Sequence, residues 1–285
     1  VTGFGARLHA AIAAHGQLCV GIDPHGALLA DWGLDAGAAG VREFGLRVVD
    51  AAAGRVPAVK PQVAFFERFG AAGFSALEAV LAAARSAGLL VIADAKRGDI
   101  GSTMDGYAEA WLSPDAPLEA DALTVSPYLG PDALRGTIAH AVRHDKGLFV
   151  LAATSNPEAF GLQSAEVSVA DAQRGQTVAD WVAHGVAWAN RATAASGLGA
   201  VGFVVGATVD RAAVGLTDEA LHAAPLLAPG FGAQGARLSE LGALFGSLAP
   251  QVLASASRSI LGAGRDGLVA AIDAHNRELQ EGLHG

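Results

Sequence analysis

Eight short apolar runs, each ending in polar or conformationally special residues, constrain this chain more than any other feature. They are LCVGIDP (18–24), PAVKPQ (57–62), LLVIADAK (89–96), ALTVSP (122–127), LFVLAATS (148–155), VGFVVGAT (201–208), APLLAPG (224–230) and QVLASAS (251–257). Their hydrophobicity is nearly continuous, as expected of parallel strands covered on both faces. Helical patterns lie between them. Val41, Phe44 and Val48 recur at helical spacing, as do Phe74, Leu77, Leu81 and Ala84 ahead of Gly88, a helix-ending glycine. Ile100, Met104, Tyr107 and Trp111 form a third such stripe. Strands alternating with helices predict an α/β fold, a (β/α)8 TIM barrel, with a doubly wound open sheet as the alternative. Residues 1–285 are read as a single barrel domain. The stretch of about 155–200 is too long for one crossover and is read as an insertion after the fifth strand.

Composition removes several function classes. A chain that is 52% hydrophobic and 16% charged is too apolar for disorder. Its net charge of -9 argues against a nucleic-acid surface, whose affinity comes from clustered Lys and Arg. Any phosphate bound is expected to be small and locally held. Cys19 is the one cysteine, so no disulfide can form within this sequence, and it reads as a small core residue. The opening residues lack the basic start and apolar run of a signal peptide, so the expectation is a cytoplasmic protein. The uncharged run at 192–209 approaches the length of a membrane span, but its Ser-Gly-Leu-Gly interruption reads as a helix end, a turn and a buried strand.

Barrel enzymes carry their chemistry at the carboxyl ends of the strands. Those ends supply Asp23, then Lys60 and Gln62, then Asp94 and Lys96, then Ser126. Strand alternation puts Asp94 and Lys96 on one side and Ala95 on the other, so both can face the barrel mouth. Asp99 lies past the strand, and Ser102 with Asp105 three residues on is the better helix cap, which frees Asp99 for another role. Lys60, set among apolar residues, needs a buried partner, and Asp23 and Asp94 on flanking strands are the candidates. After the seventh run, PGFGAQG supplies Gly230, Gly232, Gly235 and Gln234, and Arg258 follows the eighth. Phosphate is frequently bound at these last two loops of a barrel, and a planar guanidinium suits its oxygens.

The ordered set DAKRGDIGST, GIDP, KPQVAFFE, TSNP and PGFGAQG followed by SRSI resembles the orotidine 5'-monophosphate decarboxylases, in particular their longer-chain bacterial branch. The resemblance runs from Gly21 to Ile260, with the motifs in family order. It implies conversion of orotidine 5'-monophosphate to uridine 5'-monophosphate, the last step of pyrimidine nucleotide synthesis, without metal or organic cofactor. Carried over by motif, Lys60, Asp94, Lys96 and Asp99 would be the charged catalytic tetrad, with Lys96 the proton donor to C6. Asp99 and Thr103 would reach into the site of a partner in a homodimer. Asp23 would hold the ribose with Lys60, Ser126 would face the pyrimidine edge, Gln234 and Arg258 would grip the phosphate, and Pro229 would open the mobile loop. Ser257 stands where shorter members of the family have glycine.

Two other readings stay open at this stage. A Mg²⁺-dependent sugar-phosphate decarboxylase or aldolase-like barrel shares D-x-K-x-x-D, but is expected to carry an acidic metal ligand where this chain has Lys60. A non-catalytic nucleotide-phosphate binding barrel would retain Gln234 and Arg258 with no need of the tetrad. His25 reads as a lining of the first loop, and Trp181 and Trp188 as core or interface.

Overall fold

The computed structural model describes residues 3–168, 174–194, 197–232 and 235–284. Eight parallel strands close into a barrel: β1 (Leu18–Ile22), β2 (Ala58–Pro61), β3 (Leu90–Arg97), β4 (Ala122–Val125), β5 (Gly147–Ala153), β6 (Val201–Val205), β7 (Leu226–Pro229) and β8 (Val252–Ala256). β8 pairs back onto β1 through Leu18 and Ala254, which completes the ring. All eight apolar runs of the sequence are strands, and the open-sheet alternative is excluded.

The alternation of each strand divides the core in two. Cys19, Ala58, Ile92, Ala122, Phe149, Leu227 and Leu253 point inward and form the barrel interior. Val20, Val59, Val91, Leu123 and Val150 point outward, against Val41, Phe44 and Val48 of the helix Ala38–Ala52 and Leu77, Leu81 and Ala84 of the helix Gly70–Ser86. The amino-terminal helix Phe4–His15 plugs the bottom of the barrel, its Phe4 ring meeting Phe149 edge-on at 6.1 Å. Gly147 makes this approach possible, because a Cβ there would lie 2.2 Å from the Phe4 ring.

Three local expectations are corrected. The helix after β3 spans Gly101–Leu112 with Ile100 as its N-cap residue, and Ser102 makes no cap; instead the Asp99 carboxylate accepts the Ile100 N–H at 2.8 Å. Ile100 therefore precedes the helix and is exposed, whereas Met104 and Trp111 of the same stripe are buried. The stretch at 155–200 is only partly an insertion. Its second half is the ordinary crossover helix Val178–Thr193, capped by Thr177 accepting the Asp180 N–H. Its first half holds short helical turns at Pro157–Ala159 and Phe160–Gln163 and a bridge between Glu166 and Thr177. Residues 206–225, between β6 and β7, form turns in place of a barrel helix. Among the described residues no helix is long and apolar enough to cross a membrane.

Candidate active site

The alternation that turns Ala58, Ile92 and Ala122 into the barrel continues one pleat further, to Lys60, Asp94 and Thr124. The top inward layer is therefore polar, at the end of the barrel where loops build active sites. Lys60 and Asp94 line a cavity of about 470 Å³ together with Asp23, Gln62, Lys96 and Arg258. Two carboxylates face three cations there, one net positive charge, which favours an anionic ligand.

Asp94 is the hub. Lys60 Nζ donates to its Oδ2 at 2.8 Å and Lys96 Nζ to its Oδ1 at 2.5 Å, while the Thr124 hydroxyl donates to Oδ1 at 3.0 Å. Lys60 also reaches Gln62 Oε1 at 3.4 Å. Burial alone raises a carboxylate's pKa, but the Lys60 and Lys96 ammoniums outweigh it and hold Asp94 well below its ordinary value of 3.8. Burial likewise works against the Lys60 charge, and Asp94 and then Asp23 reverse it, leaving that ammonium above its ordinary 10.5. Lys60 and Asp94 are both buried, whereas the Lys96 side chain is 45% exposed and presents its ammonium to the cavity.

β3 does not run straight into this site. Ala93 is opposite Leu123, yet Val125 is opposite Arg97, so three residues of β3 face the single Thr124 of β4. A bulge of this kind bends the strand and re-aims its side chains.

Next to Lys60, where β1 and β8 border the cavity, Asp23 Oδ1 and Ser257 Oγ are buried without hydrogen-bond partners among the described residues. Such orphaned groups are costly unless a ligand satisfies them. Arg258, exposed at the start of the turn Arg258–Leu261, has no ion-pair partner among the described residues. Pro229, Gly230 and Phe231 complete that wall. Gly230 has φ 117°, a conformation that side chains disfavour.

Of the residues expected at the site, the structure brings together Asp23, Lys60, Asp94, Lys96, Pro229 and Arg258. Gln234 lies outside the described residues. Ser126 is not among the residues that line this cavity. β4 ends at Val125, the Ser126 N–H is tied to the Arg97 carbonyl at 2.8 Å, and Ser126 lines a separate apolar cavity with Tyr128, Leu162 and Trp181. The serines that line the charged cavity are Ser155, beyond β5 between Thr154 and Asn156, and Ser255 and Ser257 at the end of β8. Asp99 and the exposed Thr103 do not line the cavity of their own chain. Sequence reasoning missed Thr124, although a polar residue at an inward position of ALTV was the available signal. Of the bland readings, Cys19 is fully buried, His25 packs on the Phe65 ring at 4.2 Å, and Trp188 lies under the Arg135 guanidinium.

Fold and cavity together define a barrel enzyme with a lysine-carboxylate array at the strand ends and a cationic wall suited to an anionic substrate. The family model described as orotidine 5'-phosphate decarboxylase / HUMPS matches residues 16–273. The chain belongs to that family. It is 50% identical over 271 residues to the orotidine 5'-phosphate decarboxylase of Salinispora arenicola, covering 95% of this chain and 93% of the relative. It is 52% identical over 259 residues to that of a Nocardioides species, covering 90% and 91%. Among solved structures, a candidate orotidine 5'-phosphate decarboxylase from Streptomyces avermitilis superposes with a TM-score of 0.90 at 46% identity, over 100% of this chain and 97% of the other. The orotidine monophosphate decarboxylase of Leishmania donovani superposes with a TM-score of 0.77 at 30% identity, over all of both chains.

Proposed function

We propose that this chain converts orotidine 5'-monophosphate to uridine 5'-monophosphate and carbon dioxide, the closing step of pyrimidine nucleotide synthesis. The observation that carries the reading is the double ion pair on Asp94, which keeps Lys96 in place beside a cavity that the Arg258 guanidinium also lines. Named relatives at about half identity over nearly the whole chain supply the substrate.

The chemistry follows from the charges. Cleavage of the C6–carboxylate bond leaves its electron pair in an sp² orbital of C6 that the ring delocalises poorly. A fixed ammonium beside that carbon stabilises the developing charge more than it stabilises the substrate. Lys96 supplies that charge and then transfers a proton to C6, and water reprotonates it afterwards. Asp94 fixes the Lys96 ammonium, and Lys60 keeps Asp94 ionised. Asp23, with an orphaned acceptor oxygen, suits a ribose hydroxyl. Arg258 and the neighbouring Gly230 loop suit the phosphate, and Ser126, directly after β4, is assigned the pyrimidine edge. Binding energy from the unreactive phosphate helps to exclude water from the reacting carbon.

The active unit is a homodimer in which Asp99 and Thr103 complete the partner's site. Their position outside their own cavity supports this, as do the exposed apolar side chains Ile100, Tyr128 and Leu129. A lone Cys19 and the biosynthetic role of the relatives fit work in the cytoplasm.

The test is loss of orotate absorbance when purified protein meets orotidine 5'-monophosphate in excess EDTA, beside a Lys96→Ala control. Turnover in wild type that the substitution abolishes supports the reading. A folded wild type that is inert here and acts on sugar phosphates with Mg²⁺ would overturn it.

A further inference from the structure

The bulge in β3 leaves a strained lysine. Lys96 has φ 47°, one of four non-glycine residues in the left-handed region among the described residues, and it carries the ammonium closest to Asp94. Residues with side chains avoid this region unless their surroundings enforce it. Here the enforcing contact comes from β4. Thr124 is 1% exposed, and its hydroxyl oxygen accepts the Lys96 backbone N–H at 2.9 Å while its proton goes to Asp94 Oδ1 at 3.0 Å. One hydroxyl thus ties the backbone of the strained lysine to the carboxylate that holds the same lysine's side chain. A valine of the same shape would preserve the packing and lose both bonds.

We propose that Thr124 is a positioning residue that clamps the β3 bulge so that Asp94 and Lys96 hold one mutual geometry. It acts through those two residues, and the inference rests on the decarboxylase reading above. The clamp matters to the reaction because the charge that meets the C6 electron pair is useful only if it is already in place. Small misplacement of a reacting group is enough to lower a rate by about 100-fold.

Thr124→Val, with Thr124→Ala as a second apolar variant, removes the hydroxyl, and Thr124→Ser restores it. The expected result is a kcat lowered about 10- to 100-fold in Thr124→Val, with KM for orotidine 5'-monophosphate changed by less than about 3-fold and recovery in Thr124→Ser. Amide exchange across residues 94–97, read by mass spectrometry, should quicken in the apolar variants and return to wild-type rates with serine. A kcat within about 3-fold of wild type in the apolar variants overturns the proposal, as does a loss that serine fails to recover. A loss accounted for by a lower folded fraction overturns it too, because a purely structural hydroxyl would act that way. If wild type itself does not turn over the substrate, the decarboxylase reading fails on its own, and the exchange data alone decide whether Thr124 clamps the bulge.

Discussion

Lys60 and Lys96, from neighbouring strands, hold opposite oxygens of the same carboxylate: Lys60 Nζ is 2.8 Å from Asp94 Oδ2 and Lys96 Nζ is 2.5 Å from Asp94 Oδ1. Asp94 cannot shift toward one ammonium without lengthening its bond to the other. The array is therefore organised before substrate arrives, which is the condition under which fixed charges lower a barrier.

Removing the proposed acid should abolish chemistry while leaving the fold. Lys96→Ala is expected to lower kcat by at least about 1,000-fold, since it removes both the fixed charge and the proton. Single-turnover assays on protein with an unchanged Tm check this. Residual activity within about 10-fold of wild type would assign the proton elsewhere.

Asp94→Asn should harm stability as well as rate, because it leaves the buried Lys60 ammonium without its principal counter-charge. A loss of about 3 kcal/mol is expected for a broken buried pair, measured by urea unfolding near neutral pH. Replacing both partners together, as Lys60→Met with Asp94→Asn, should be milder for stability than the single change and equally inactive.

The same pair predicts a pH window. Asp94 titrates below its ordinary 3.8 in the folded state, so its contribution is present above that value and is lost as pH falls through the lower folded value. Lys60 titrates above its ordinary 10.5, so its contribution is present below that value and is lost as pH rises through the higher folded value. The stability difference between wild type and the Lys60→Met, Asp94→Asn double variant should be flat from about pH 5 to 9 and shift at both extremes. A slope inside that window would contradict the ion pair.

Arg258→Ala should reduce kcat/KM by about 100-fold or more, as expected for losing a charge-assisted phosphate contact. A substrate lacking the phosphate should be insensitive to the substitution. Equal losses with both substrates would remove Arg258 from the phosphate site.

Asp99→Ala and Lys96→Ala proteins, each inactive alone, should complement when mixed under exchanging conditions. One heterodimer site would then carry a wild-type Lys96 and the partner chain's intact Asp99, and random mixing would restore about a quarter of wild-type sites. No recovery in verified heterodimers would place Asp99 outside the partner's site.

Cys19 should resist thiol reagents at pH 8 until the protein unfolds. Burial first, with Asp94 and Asp23 adding to it against the Lys60 charge, pushes its thiol up to about 12. Labelling with a chromogenic disulfide in native and denatured protein reads the difference directly.

The sequence by itself determined the barrel and most of its charged site. Near-continuous apolar runs at regular spacing leave few folds other than a covered parallel sheet, and alternation along β2 and β3 already pointed Lys60 and Asp94 the same way as the barrel interior. Arg258 was legible for the same reason, as the residue next to a strand end. Other features depended on contacts between strands far apart in sequence. Thr124 looked like one polar residue in an apolar run until the β3 register shift set it against Asp94 and Lys96. Ser126 was legible as the polar residue after an apolar run, but only the end of β4 at Val125 and the bond from its N–H to Arg97 decided that it borders a separate apolar cavity, while Ser155, which the sequence did not single out, borders the charged one. Local pattern dictates which face of a strand a side chain takes; register and bulges, set by the packing of the whole barrel, decide where along the mouth that face arrives.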